Sequence, residues 1–238
     1  MKYKAVVFDL FGTIVDFLPS QDYHEMHLET ARVLDVPAEE YRRLWDATIW
    51  DRDRGTHGDL HGSFQLVCEQ LGICPTKEQL DEAIDIRLKL YARCLKPRDG
   101  VMETLTALKA MGLKLGLISG CGFEVPMLWK STPFSLLFDA PVFSCDARMS
   151  KPEPSIYLLA CERLGVTPNE CLYVADGMHG ELTGASSVGM HAVLIRVSYD
   201  HHLDCHRKEV PSWTGPTISR IPDILSFCRD SELESITD

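Results

Sequence analysis

One stretch near the start of the chain constrains the fold more than any other: Lys4-Ala-Val-Val-Phe-Asp-Leu-Phe-Gly-Thr13. The apolar run Ala5 to Phe8 is too short for a helix and is broken by Gly12. It predicts a strand buried on both faces, the kind found inside a parallel sheet. Asp9 stands where that strand ends. An unpaired carboxylate buried there would cost several kcal/mol, so Asp9 either opens onto a solvated crevice or is held by a cation. In open α/β sheets the crevice beyond the strand C-termini is where ligands bind. Gly12-Thr13 adds a flexible turn and a hydroxyl beside it. Taken alone, the stretch fits equally well a strand that merely ends in an Asp turn.

The rest of the chain supplies the context. Residues 16 to about 97 contain no second strand of this buried type and predict helices over Gln21 to Leu34, Ala38 to Asp51, Leu60 to Leu71 and Lys77 to Leu95. A charged turn with two glycines, Asp51 to Gly58, interrupts them, and Pro97-Arg-Asp-Gly100 closes the block. A helix over Val101 to Met111 follows, and the rhythm then changes. Strands are predicted at Leu113 to Ser119, Ala140 to Phe143, Cys171 to Ala175 and His191 to Arg196. Helices lie between them near Val125 to Lys130, over Glu153 to Leu164 behind Pro152, and over Met178 to Val188 with Gly189 at its end. This alternation predicts a Rossmann-like, doubly wound parallel sheet with right-handed crossovers. The expected division is an α/β core over residues 1–15 and 98–238, with a helical insertion at 16–97. The last forty residues read as polar, with one short helix from Pro222 to Cys228 and an acidic tail.

Composition narrows the function. A net charge of −11 over 238 residues argues against binding through a nucleic-acid backbone. No apolar run reaches membrane-spanning length, and no basic region precedes an apolar one as in a signal peptide. The nine cysteines show no CxxC spacing and are expected to be reduced, mostly core-filling thiols of a cytoplasmic protein. His201-His-Leu-Asp-Cys-His206 has ligands enough for zinc, but it lies away from the predicted strand ends, where a polar surface loop is the commoner role. His57 and His61 flank the glycine-rich turn close to Arg52 and Arg54, which there could face a substrate and grip a carboxylate or phosphate.

The chemistry-bearing residues converge. Asp9, Ser119 and Asp176 each end a predicted strand, and Lys151 lies in the loop after the third. A parallel sheet brings all four to one edge. In this arrangement the sequence resembles the haloacid dehalogenase superfamily of hydrolases. Asp9-Leu-Phe-Gly-Thr13 matches its first motif, Leu117-Ile-Ser-Gly120 the second and Lys151-Pro-Glu-Pro154 the third. Val174-Ala-Asp-Gly-Met-His-Gly-Glu181, with Gly184-Ala185 and Gly189-Met190 behind it, matches the fourth. The resemblance covers nearly the whole chain, and the insertion at 16–97 looks like the family's helical cap.

The resemblance implies roles. Asp9 would be the nucleophile, splitting one difficult hydrolysis into two easier steps. Asp9, the backbone carbonyl of Phe11 and Asp176 would surround Mg²⁺, with Glu181 bound directly or through water. Asp is the commoner residue at the position of Glu181. Ser119 and Gly120 would bind the phosphoryl group, and Lys151 would offset the carboxylates and the charge of the transition state. Arg54 is a further candidate for substrate binding. The implied activity is hydrolysis of a small phosphorylated metabolite through an aspartyl-phosphate, by a monomer or homodimer. One departure stands against this. Family phosphatases usually carry a second Asp two residues after the nucleophile as general acid and base, and this chain has Phe11. Loss of such a group typically costs ~10²–10⁴ in rate. The readings left open are a phosphatase that uses water or a cap residue for that proton, dehalogenation of a small acid, phosphonate hydrolysis and a weakened homologue that binds ligand.

Overall fold

β1 (Ala5–Phe8) is buried along its whole length, and the sheet is built outward from it. The structure is a computed structural model describing residues 3–199 and 205–229. After β1 come five helices: α1 (Ser20–Val33), α2 (Ala38–Ala47), α3 (Ile49–Asp53), α4 (Leu60–Gln70) and α5 (Lys77–Cys94). Then α6 (Val101–Ala110) leads to β2 (Lys114–Ser119), α7 (Glu124–Leu128), β3 (Ala140–Phe143), α8 (Ser144–Ala147) and α9 (Pro154–Leu164). β4 (Cys171–Ala175), α10 (Glu181–Ser187), β5 (His191–Ile195), β6 (Thr217–Ile218) and α11 (Leu225–Cys228) complete the order.

The sheet runs β3-β2-β1-β4-β5-β6, and every pairing in it is parallel. β1 therefore sits at the point where strand order reverses, and the crevice beyond its C-terminus is the ligand position for such a sheet. Phe8 pairs with Leu117 on one side and Val174 on the other. The register thus carries Asp9, Ser119 and Asp176 to one edge. Side chains alternate between the faces. Val6, Phe8, Leu115, Leu117 and Val174 pack with α6 and Ile221, while Ala5, Val7, Val142, Tyr173 and Ala175 pack with α9 and α10. Burial on both sides is why these strands read as continuous apolar runs.

The helices between β1 and α6 have a core of their own, in which Ala31, Tyr41, Trp45, Phe64, Val67 and Ile84 meet. The two connections joining them to the sheet run side by side. Val15 forms an antiparallel bridge with Pro97, and the Arg98 N–H donates to the Ile14 carbonyl at 2.9 Å. The Arg98 side chain donates to Asp16 at 2.7 Å and to the Gly12 carbonyl.

Three local expectations are corrected. The helix expected over Ala38 to Asp51 breaks at Thr48, where the Thr48 hydroxyl and the Arg52 guanidinium both take the Trp45 carbonyl. Side chains there compete for a group that helix continuation would use. The helix expected from Met178 begins at Glu181, because His179 (φ 55°) and Gly180 (φ 69°) adopt left-handed backbone. The polar final segment contributes a sixth strand, β6, whose two residues are too few to show period-two alternation.

Candidate active site

Asp9 follows β1 and is almost fully buried. Its Oδ1 accepts a 2.5 Å bond from Lys151 Nζ, which also donates to Glu181 Oε2 at 2.5 Å. Glu181, the first residue of α10, is held from three sides. Tyr173 OH donates to Oε2 at 2.9 Å, the Gly177 N–H donates to Oε1 at 3.1 Å, and Lys151 closes the set. Asp176 follows β4; its Oδ1 accepts the Met178 N–H at 3.1 Å. Its Oδ2 accepts Nε and Nη2 of Arg207 at 2.9 and 2.7 Å. Gly12 makes this closeness possible. At φ 81° it tolerates the left-handed turn, and a Cβ there would lie 2.4 Å from Asp176 Oδ2.

The carboxylates of Asp9, Asp176 and Glu181 bring one oxygen each within 4.8 Å of one another. Burial pushes the Asp9 carboxyl above the usual range, with Lys151 opposing it and Asp176 adding to it. Burial, then Asp9, pushes Glu181 well up. Lys151 is driven further toward its charged form, because Asp9 and Glu181 outweigh its own desolvation. Three carboxylates face two cations, so the cluster carries an excess of negative charge that one more cation would relieve. Its donors are all oxygen, the set that a hard divalent ion prefers. Asp9 Oδ2, Ser119 Oγ and Thr13 Oγ1 are buried there without a hydrogen-bond partner among the described residues. These oxygens have hydrogen-bonding capacity to offer a ligand or ion.

The crevice opens into a cavity of about 190 Å³ between the sheet edge and the helical block. Asp9, Phe11, Gly120, Lys151 and His179 line it from the sheet side. Tyr23, Arg52, Asp53, Arg87 and Tyr91 line it from the helices, and Glu124 lines it from α7. The Phe11 ring meets Tyr91 edge-on, with centroids 6.4 Å apart. Arg87, 1% exposed, donates from Nε to Glu124 Oε1 at 2.9 Å and from Nη2 at 2.7 Å. The guanidinium groups of Arg52 and Arg87 both lie over Trp45, 4.2 and 4.1 Å from the ring centroid.

Most of the residues singled out from the sequence meet here: Asp9, Phe11, Ser119, Gly120, Lys151, Asp176 and Glu181. Arg54 does not line the cavity. Its guanidinium is paired with Glu153, and its neighbour Arg52 lines the cavity instead, because successive helical residues face different ways. Three contributors escaped the sequence reading. Arg207 sits in a segment read as a polar tail, and Arg87 and Glu124 look like ordinary charged helix positions. The histidine-rich stretch is only partly covered: His201 and His202 lie outside the described residues, and Cys205 and His206 are exposed.

A family model described as haloacid dehalogenase-like hydrolase matches residues 3–189. The chain belongs to this family. It is 30% identical to the glyceraldehyde 3-phosphate phosphatase of Methanopyrus kandleri, over 95% of this chain and 97% of that one. It is 28% identical to (S)-2-haloacid dehalogenase 4A of Burkholderia cepacia, over 81% and 82% of the two chains. Among solved structures it resembles the HAD phosphatase from Thermococcus onnurineus, with a TM-score of 0.67, 27% identity and 94% and 97% coverage. The haloacid dehalogenase-like chain is thus a hydrolase by family. Among the described residues no helix is long and apolar enough to cross a membrane.

Proposed function

We propose that the protein is a Mg²⁺-dependent phosphatase acting on a small phosphate monoester through an aspartyl-phosphate. One observation carries the reading: Asp9 ends the central strand with Oδ1 held by Lys151 and Oδ2 free, at the floor of a cavity. An oxygen of Asp9 attacks phosphorus, and the bond from phosphorus to the leaving oxygen breaks. Water then attacks the same phosphorus, freeing inorganic phosphate and restoring the carboxylate. Ser119 Oγ and the Gly120 backbone receive the phosphoryl oxygens, and Lys151 Nζ offsets charge developing on them. Asp9, the Phe11 carbonyl, Asp176 and Glu181 would hold Mg²⁺, which when bound supplies positive charge against the phosphoryl oxygens. The relatives named as phosphatases support the same reaction class.

In this reading residues 1–15 and 98–238 form the catalytic core, and residues 16–97 form a cap that excludes water and shapes the cavity. The cavity's volume, about 190 Å³, suits a small metabolite. The wall opposite the sheet bears Arg52, Asp53 and the Arg87–Glu124 pair, which favours a leaving group with polar substituents.

A second reading, hydrolytic dehalogenation of a small 2-halo acid, is favoured by Phe11 and by the dehalogenase relative. Hydrolysis of 4-nitrophenyl phosphate, measured with Mg²⁺, with EDTA and with Asp9→Asn, separates them. Mg²⁺-dependent turnover that disappears with EDTA and in the variant supports the phosphatase. Chloride release from 2-chloropropionate that persists in EDTA, with no phosphate ester hydrolysed, overturns it.

A further inference from the structure

Departure of a poor leaving group, an alkoxide or an unactivated phenoxide, from phosphorus needs a proton, and the water that follows must lose one. Phe11 can do neither. The cavity contains other proton carriers, and most are committed elsewhere. Lys151 is locked between Asp9 and Glu181. Glu124 is held by Arg87. Burial drives Cys121, Tyr23 and Tyr91 away from ionisation. The guanidinium groups of Arg52 and Arg87 do not deprotonate, and the His179 ring is packed edge-on against Trp50. Asp53 differs from all of these. It is the last residue of α3, lines the same cavity as Asp9, and makes no hydrogen bond or ion pair among the described residues.

Its position is fixed by the docking of α3 and the following turn onto the core. Trp50 meets His179 edge-on, with centroids 5.3 Å apart, and Arg54 pairs with Glu153. Gly55 lies so close to the Cys145 carbonyl that a Cβ would come within 2.0 Å of its oxygen. These contacts hold α3 over the mouth of the crevice.

Resting on the phosphatase reading, we propose that Asp53 is the general acid for the leaving group and the general base for the attacking water. In the first step the Asp53 carboxyl gives its proton to the leaving oxygen as the bond to phosphorus breaks and Asp9 becomes phosphorylated. In the second, the Asp53 carboxylate takes a proton from the water that attacks phosphorus, which resets both aspartates. Burial and the Glu124 carboxylate push Asp53 up to about 7, with Arg52 opposing. That value suits an acid that must be protonated in one half-reaction and free in the next. The charged and titratable groups that line the cavity with it are Arg52 beside it, Tyr23 from α1, Arg87 and Tyr91 from α5, Glu124 from α7, and Cys121, Lys151, His179 and Asp9 from the core.

The test uses three aryl phosphates of similar shape whose phenols are progressively poorer leaving groups: 4-nitrophenyl, phenyl and 4-methoxyphenyl phosphate. The readout is kcat/KM, which covers only steps up to departure of the phenol. Asp53→Asn is expected to lose about tenfold or less on the first ester and ~10²–10⁴-fold on the last, because only the poor leaving group needs the acid. An equal loss along the series, or none, overturns the proposal. A second measurement needs no variant. In the wild type, the ratio of kcat/KM for 4-methoxyphenyl over 4-nitrophenyl phosphate should fall as pH rises above 7, since ionisation of Asp9 and of the phosphate cancels in the ratio. A flat ratio also overturns it. If Asp9→Asn still turns these esters over, the phosphatase reading itself fails. If that variant is dead while the Asp53→Asn losses are uniform, only the role of Asp53 falls.

Discussion

The two walls of the cavity are built on different principles. On the sheet side, every ionised group but one oxygen is saturated: Lys151 bridges Asp9 and Glu181, Arg207 covers Asp176, and Tyr173 and Gly177 complete Glu181. On the helical side, Arg87 and Glu124 form one buried pair, while Asp53 and part of Arg52 face the cavity without protein partners. The first wall holds its groups in one geometry, as the proposed chemistry at a fixed phosphorus atom would require. The second keeps hydrogen-bonding capacity in reserve for whatever enters. Arg52, Arg87 and Glu124 are as buried as the sheet-side groups and Asp53 is half-buried, so the difference lies more in satisfaction than in exposure.

The comparison can be broken by removing groups from each wall. The largest effect is expected from Asp9→Asn, which should lower kcat on 4-nitrophenyl phosphate by about 10⁶-fold, the size found when a covalent nucleophile is lost. Thermal unfolding should change little by comparison, because the amide keeps the shape of the side chain. Next comes Lys151→Met. It leaves Asp9 and Glu181 buried without their shared cation, so chemical denaturation should show a loss of about 3–5 kcal/mol together with a collapse of activity. Arg87→Met should cost a similar amount by stranding Glu124. Here the cycle with Glu124→Leu is decisive, since removing both partners of a buried pair is often nearly neutral. If the double variant is no more stable than Arg87→Met alone, the pair is not the unit described here.

A smaller effect concerns pH. Folding raises Asp53 from the ordinary carboxylate range to about 7, so between roughly pH 4 and 7 the folded state binds more protons than the unfolded one. The contribution of Asp53 to stability therefore falls as pH rises through that window. Asp53→Asn removes this burden. Its melting temperature is expected to exceed the wild type's at pH 8, and the gap should close toward pH 4. A gap that stays constant across the range would show that Asp53 is not held in an apolar setting. The smallest change is expected at Trp50, which is 56% exposed. Trp50→Ala should remove only its edge contact with His179, worth about 0.5–1.5 kcal/mol, and should loosen the docking of α3 more than the fold.

The sequence by itself determined five of the sheet's six strands and the edge that carries the candidate site. Short apolar runs bounded by Gly, Asp or Ser specify buried strands locally. Parallel topology then forces Asp9, Ser119 and Asp176 together, wherever the intervening helices go. The same logic placed Lys151, in the loop that follows a strand toward that edge. Only tertiary structure decided the opposite wall and the cation that covers Asp176. Arg207 reaches Asp176 across 31 residues, and Arg87 reaches Glu124 across 37. No local pattern distinguishes such charged residues from solvated ones. Whether Arg52 or Arg54 enters the cavity depends on the break at Thr48, because two residues on a helix turn a side chain through more than half a circle. The exposure of Asp53 to the cavity follows from the same break. Strand ends are located by chain connectivity, which is written in order along the sequence. Helix faces are located by what they pack against, and that is known only once the chain has folded.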